Sequence, residues 1–235
     1  MWESESMIDV TDMIFSTDLL DWWKQNGRKF PWRSEKDPYR ILVVETLLHR
    51  TKAENVVPIY LKFITEFPNI KTLSGTELRD ILKITGPLGL AWRWNLLKKA
   101  AIIIEKEFSG QIPMDKEKLL SLPGVGDYIA SAIRVFSSDT EDPLIDTNTV
   151  RIICRIYGIS INDGLRRKGI VKDLYRQLRC QTDPKVFGFT LIDLAAGVCH
   201  PKVPECKKCP ISPSCATFQS SLGDYLERGT LRDKS

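Results

Sequence analysis

Cys199, Cys206, Cys209 and Cys215 stand at the spacing C-x6-C-x2-C-x5-C, in a stretch that also carries Pro201, Pro204, Pro210 and Pro213. Four thiolates in so compact a loop satisfy either a tetrahedral zinc ion or the four irons of a [4Fe–4S] cube. Structural zinc usually takes its cysteines as two short knuckles. Here only Cys206 and Cys209 are close, and the outer ligands reach across longer spans that suit the larger cluster better. A disulfide framework fits least: the stretch from Met1 to Asp12 carries four acids and no base, which is expected of neither a secretory nor a mitochondrial leader, so a reducing interior is expected.

A second group with chemistry in it is Leu122-Pro123-Gly124-Val125-Gly126, between two helical patterns. Two glycines one residue apart allow a sharp turn that exposes successive backbone N–H groups beside a helix N-terminus. That makes a site for one phosphate without reading any base, the signature of a helix-hairpin-helix. The plainer reading is an ordinary helix-to-helix turn.

Two carboxylates complete the set. Ile41, Val44, Glu45 and Leu48 fall at i, i+3, i+4, i+7, so Glu45 shares the face its apolar neighbours bury. Desolvation there favours the protonated form and makes Glu45 a candidate general acid, unless it snorkels to solvent or pairs with a base. Asp146 follows Leu144 and Ile145 and precedes a helix with Val150, Ile153, Cys154 and Tyr157 on its inward face. It occupies the N-cap position, where an Asp commonly does nothing more than accept a backbone N–H. The same N–H groups and the helix dipole also keep it ionised, as an anion able to stabilise developing positive charge or to activate water.

Helices must position these groups, because nearly every long segment repeats its apolar residues with helical period and none alternates cleanly over a strand's length. The expected fold is all-α. Leu19, Leu20 and Trp23 mark a first helix ended by Asn26 and Gly27, before the turn-prone Phe30-Pro31-Trp32-Arg33. Ile41, Val44 and Leu48 mark the next, and Val56, Tyr60, Phe63, Ile64 and Phe67 a third. Ser74 with Glu77 reads as a capping box for a short helix carrying Leu78, Ile81 and Leu82, and Gly86-Pro87-Leu88-Gly89 breaks the pattern. A longer helix follows with Leu97, Ala100, Ala101, Ile104 and Phe108, closed by Gly110 and Pro113, and Asp115 caps the one after it. Ile129, Ala132, Ile133 and Phe136 line the helix that begins at Asp127. Val171, Leu174 and Leu178, then Phe187, Leu191, Leu194, Ala195 and Val198, define the last two, and the tail after Cys215 is polar and expected to fray.

With 235 residues and 43% apolar content the chain can bury one large core or two modest ones, and no segment is apolar enough to span a bilayer. Lys and Arg number 34 against 30 Asp and Glu, a basic excess too slight to name a nucleic-acid partner by itself. Cys154 and Cys180 are isolated thiols expected to pack. Trp92 and Trp94 flank Arg93 just after the Gly-Pro break. They suit either a core or a platform that stacks on an unpaired nucleotide.

The hairpin, the aspartate some twenty residues beyond it and the cysteine loop, in this order, resemble the endonuclease III superfamily of DNA glycosylases. The resemblance extends from about Leu19 to Cys215 through Phe30-Pro31-Trp32-Arg33, Asp37-Pro38-Tyr39, Glu45 to Thr51, and Ile145 to Arg151. It is strongest for the branch that holds the adenine glycosylases and the archaeal thymine/uracil mismatch glycosylases. It implies a two-lobed helix-hairpin-helix glycosylase fold with DNA held across the cleft between the lobes. One lobe is a six-helix barrel over 34–136. The other is an iron–sulfur cluster lobe over 137–222, packed with an N-terminal segment 1–33 and followed by a polar tail 223–235. It further implies a [4Fe–4S] cluster on the four cysteines, with Lys202, Lys207 and Lys208 presented to phosphates.

In that likeness Asp146 matches the catalytic aspartate and Glu45 the branch's active-site glutamate. Arg50 fills the space left by a flipped base, Leu90 wedges beside it, His49 lies near the strand, and Leu122, Gly124, Val125 and Gly126 hold a phosphate. The residue just after the hairpin sorts the chemistry: bifunctional glycosylase/lyases carry Lys there, the adenine enzymes Ser and the thymine/uracil mismatch enzymes Tyr. Here it is Tyr128, which cannot form the imine a lyase needs and is expected to pack against or bond to the flipped base. The expected activity is therefore monofunctional excision of thymine or uracil opposite guanine in double-stranded DNA. A downstream abasic-site endonuclease would follow this step, and the protein would act as a monomer in the cytoplasm or nucleoid, away from membranes. Adenine removal opposite guanine or oxidised guanine is the alternative, disfavoured by the short chain after Cys215. A non-catalytic DNA-binding module and a lyase using another amine are the rivals of other classes.

Overall fold

In a computed structural model of the chain, residues 10–160 and 169–220 are described, with side chains from residue 17 onward. The tail expected over 223–235 and most of the acidic opening stretch lie outside the described residues. Among the described residues the regular structure is helical, with no strand. The helices are α1 (Val10–Asn26), α2 (Pro38–Leu48), α3 (Ala53–Glu66), α4 (Ile70–Gly75), α5 (Leu78–Thr85), α6 (Ala91–Glu107), α7 (Lys116–Ser121), α8 (Asp127–Ser138), α9 (Thr147–Tyr157), α10 (Gly169–Arg179) and α11 (Pro184–Gly197). They divide into two compact units, one from Lys29–Asp142 and one drawn from Met1–Arg28 and Pro143–Ser235.

The Lys29–Asp142 unit is organised around α2. Asp37 caps this helix by accepting from the Tyr39 N–H, and Pro38 follows in the first turn, where its missing N–H costs no hydrogen bond. Periodicity predicts one buried face, but every residue from Ile41 to Leu47 is buried, because α3, α6 and α8 all pack against α2. Glu45 and Thr46 are thereby carried inside with the aliphatic residues. Asp142 closes the unit, accepting from Arg134 Nε at 2.6 Å and Lys116 Nζ at 3.0 Å, which ties α7 and α8 to the chain leaving α8.

The capping box expected from Ser74 and Glu77 is not formed. Ser74 lies inside α4 with its hydroxyl donating to Lys71 O, and Asn69 caps that helix by accepting from the Thr72 N–H. Glu77 is the N-cap of α5, with no side-chain cap bond among the described residues. Asn69 follows Pro68 and supplies the stronger start signal. This short helix then consumes the serine that spacing alone assigns to the next one.

In the other unit α1, α9, α10 and α11 pack together. Gly27 follows α1 at a position with no room for a side chain, since a Cβ there would stand 2.7 Å from Trp23 O. Just beyond, Arg28 donates from its backbone N–H and from Nε to the buried Asp193 of α11, which also accepts from Trp23 Nε1 at 2.9 Å. The helix after Asp146 is buried over more than one face: Ile152 and Ile156 are buried along with Val150, Ile153 and Cys154, whereas Tyr157 is only half-buried. Cys154 packs as expected. Cys180 instead sits half-buried in a left-handed turn after α10, its thiol donating to Gln177 O. The chain does not fray directly after Cys215, since residues 216–220 are helical.

Candidate active site and cysteine loop

Each unit holds one of the two carboxylates. Glu45, 9% exposed, sits on α2 in the Lys29–Asp142 unit, placed there by apolar packing. Helix α8 packs against the same helix and carries Tyr128, half-buried, in its first turn. Leu122 and Val125 are buried and anchor the hairpin, and the Val125 N–H donates to Leu122 O at 3.1 Å. Gly124 and Gly126 are exposed. Gly124 has φ +83, and a Cβ on it would approach Leu96 Cβ to 3.0 Å, so both backbone angle and space call for glycine. Gly126 is the N-cap of α8 and offers no side-chain acceptor, which leaves the first N–H groups of α8 without a side-chain cap among the described residues.

Two turns in this unit carry the residues expected to enter DNA. Arg50 follows α2 at φ 56 and is exposed; Leu90 precedes α6 at φ 52 and is half-buried. Left-handed backbone at a residue with a Cβ costs roughly 1–2 kcal/mol, so both turns are held by their surroundings. His49 and Trp92 meet edge to face at 5.8 Å. Burial, with Arg50 and Arg93 nearby, holds the His49 imidazole below its ordinary pKa. The two tryptophans separate: Trp94 is fully buried and donates to Gly89 O, while Trp92 is 53% exposed. Thr46, His49, Trp92, Arg93, Pro123 and Gly124 border a cavity of about 70 Å³ between α2, α6 and the hairpin.

In the other unit Asp146 is the N-cap of α9. Its Oδ1 accepts from the Thr149 N–H at 2.7 Å, and its Oδ2 from Asn148 Nδ2 at 2.8 Å. Asn148 Oδ1 in turn accepts from Arg151 Nη1 at 2.9 Å, and Arg151 Nε donates to Cys199 O at 3.0 Å. One turn on, Arg155 Nη1 reaches Cys199 Sγ at 3.2 Å and His200 O at 2.7 Å. A chain of polar contacts thus joins the aspartate to the first cysteine of the loop. Spacing alone does not find Asn148, Arg151 or Arg155; the only trace is two arginines at i, i+4 on a mostly buried helix.

All four cysteines border one cavity, closed on the protein side by Ile152, Ile156, Leu194, Val198 and Ile211. Among the described residues no three His, Cys, Asp or Glu side chains gather closely enough for a single metal ion. Burial, reinforced by the neighbouring cysteines, pushes the Cys206 thiol up, and burial carries Cys209 to about 11. Lys207 is exposed in the turn between them, Lys202 is exposed nearby, and Lys208 pairs with Glu205. No helix among the described residues is long and apolar enough to cross a membrane.

No protein-family model matches the chain. A thymine/uracil-DNA glycosylase from Pyrobaculum aerophilum is 36% identical over 211 residues, 87% of this chain and 91% of that one. A thymine-DNA glycosylase from Aeropyrum pernix is 34% identical over 86% of this chain and 93% of its own length. An adenine DNA glycosylase from Buchnera aphidicola subsp. Baizongia pistaciae is also 34% identical, and the match spans 60% of its length. Among solved structures, a thermostable thymine-DNA glycosylase superposes with a TM-score of 0.83 at 30% identity, over 89% of this chain and 97% of that chain. Endonuclease III trapped covalently on DNA gives 0.76 at 15% identity, a likeness of fold. With identity at this level running nearly the full length of a thymine/uracil-DNA glycosylase, the chain belongs to the endonuclease III superfamily of helix-hairpin-helix glycosylases, in the branch of the thymine/uracil and adenine enzymes, and is a DNA N-glycosylase.

Proposed function

We propose that the enzyme is monofunctional and excises thymine or uracil mispaired with guanine. The observation that carries this reading is Tyr128, which occupies the first turn of α8 directly after the hairpin, where a bifunctional enzyme needs an amine. The named relatives support it: thymine or thymine/uracil glycosylases are among the proteins this chain matches over nearly their whole length. Adenine removal is the second reading, favoured by adenine DNA glycosylases of comparable identity.

The chemistry follows from the two environments. As the base departs, positive charge develops on the sugar. Asp146, an acceptor held by the Thr149 N–H and by Asn148, stabilises that charge or activates the attacking water. Glu45, buried among aliphatic side chains, gives a proton or a hydrogen bond to the leaving base. Water adds to C1′ as the N-glycosidic bond breaks, the proton goes to the base, and an abasic site remains for a separate endonuclease. The uncapped N–H groups of α8 take one phosphate, and Arg50 and Leu90 enter the duplex beside His49.

We also assign Cys199, Cys206, Cys209 and Cys215 to a [4Fe–4S] cluster, supported by the shared cavity and the chemistry of four thiols. It would crosslink the loop that presents Lys202 and Lys207 to phosphates, with the hydrolysis left to Asp146 and Glu45. We further propose that the enzyme acts as a monomer in a reducing, DNA-containing compartment.

Alkali and borohydride test the chemistry. A duplex from which the enzyme has released its base should break only after alkali, with no borohydride-trapped adduct. A trapped adduct, or breakage without alkali, would replace this reading with a lyase.

A further inference from the structure

Arg93 is a cation out of place. It is 3% exposed, and its guanidinium lies 4.3 Å from the ring of Trp94. The acceptors it has found are four neutral oxygens, and its Nε has no hydrogen-bond partner among the described residues. Two of the acceptors are the Leu47 and His49 carbonyls at the C-terminal end of α2, where a helix leaves oxygens unpaired and favours positive charge. A third is Thr51 Oγ1, 3.3 Å from both Nη1 and Nη2. The fourth is Leu88 O, reached by Nη2 at 3.3 Å on the far side of the Gly86–Leu88 turn. One planar fork therefore spans two turns distant in sequence, and Trp94 adds a second tie through Gly89 O.

The turns that it joins are those with left-handed backbone at Arg50 and at Leu90. Neither conformation is one the chain adopts by preference. A lysine would satisfy one turn or the other, because a single ammonium has no second edge to offer.

We infer that Arg93 is a positioning residue for base extrusion, locking the turn of Arg50 to the turn of Leu90 so that both side chains enter DNA as one preformed wedge. This rests on the reading that those two residues fill and brace the gap left by the flipped base. The clamp also sets Trp92, one residue before Arg93, edge-on to His49, whose own carbonyl Arg93 binds.

The test is a duplex with 2-aminopurine beside the thymine of a T·G mispair, read by fluorescence on binding and by single-turnover excision. Wild type should raise the fluorescence as the stack opens. Arg93→Met should bind with Kd within about threefold, raise it far less, and excise on the order of a hundredfold more slowly, the size of a small misplacement of catalytic geometry. Arg93→Lys should fail to rescue the signal. In an Arg50→Ala/Leu90→Ala background Arg93→Met should add almost nothing, as for residues acting through one another. If Arg93→Met does not fold, Thr51→Val removes one shared acceptor and should show a smaller loss of the same kind. Full fluorescence and excision in a folded Arg93→Met, rescue by lysine, or additive losses would overturn the clamp while leaving the wedge intact. An Arg50→Ala/Leu90→Ala enzyme as active as wild type would overturn both.

Discussion

Glu45 and Asp146 carry the same functional group and are held in opposite ways. Glu45 is inside because α2 is surrounded, and its carboxyl is the one ionisable group in the buried run from Ile41 to Leu47, where Thr46 is the other polar residue. Asp146 is held by hydrogen bonds, one to the backbone of its own helix and one through Asn148 to Arg151 and the cysteine loop. We propose that these settings divide the roles, with Glu45 on the packed face of α2 serving the departing base and Asp146 at the N-terminus of α9 serving the cationic sugar.

The largest expected effect is at Asp146. Asp146→Asn keeps an acceptor for the Thr149 N–H but loses the charge, and single-turnover excision should fall by about a thousandfold or more with the melting temperature little changed. Unchanged excision would remove Asp146 from the mechanism. Glu45→Gln should cost about a hundredfold, and here the comparison sharpens. Asp146→Ala should lower the melting temperature by the loss of a cap worth about 1 kcal/mol, which thermal unfolding checks.

Tyr128→Lys should introduce strand cleavage at the abasic site without alkali. Lack of nicking in a folded, excising variant would show that position 128 does not face the sugar. The smallest effect is expected at Arg151, where Arg151→Met should slow excision by roughly tenfold, since it loosens Asn148 rather than Asp146 itself. An equal loss in Arg151→Met and Asp146→Asn would mean that the arginine, not the cap, holds the aspartate in place.

Much of this was legible wherever a local rule governs. The cysteine spacing, the two glycines of the hairpin and the cap at Asp146 are short-range patterns, and the structure forms the turn and the cap as those patterns require. The burial of Glu45 follows from helical period in direction, although all-round packing of α2 does not, because it depends on three other helices. Trp92 and Trp94 are two residues apart on a helix, nearly opposite in direction, so one exposed and one buried was within reach of the same period. The buried arginines were out of reach. Arg93 and Arg151, and beside them the half-buried Arg155, are satisfied largely by backbone carbonyls, most of them far away in sequence, and a carbonyl leaves no mark in residue type. Ser74 and Glu77 failed for the converse reason: the local pattern is genuine, but a stronger cap five residues earlier uses the serine first.

Single-turnover excision from labelled duplexes carrying T·G, U·G, A·G, adenine opposite 8-oxoguanine and fully paired controls tests the central claim most directly. Thymine or uracil opposite guanine should be released, seen only after alkali, with the paired controls intact. Release of adenine, with thymine and uracil retained, would contradict it and move the enzyme to the adenine side of its branch despite Tyr128.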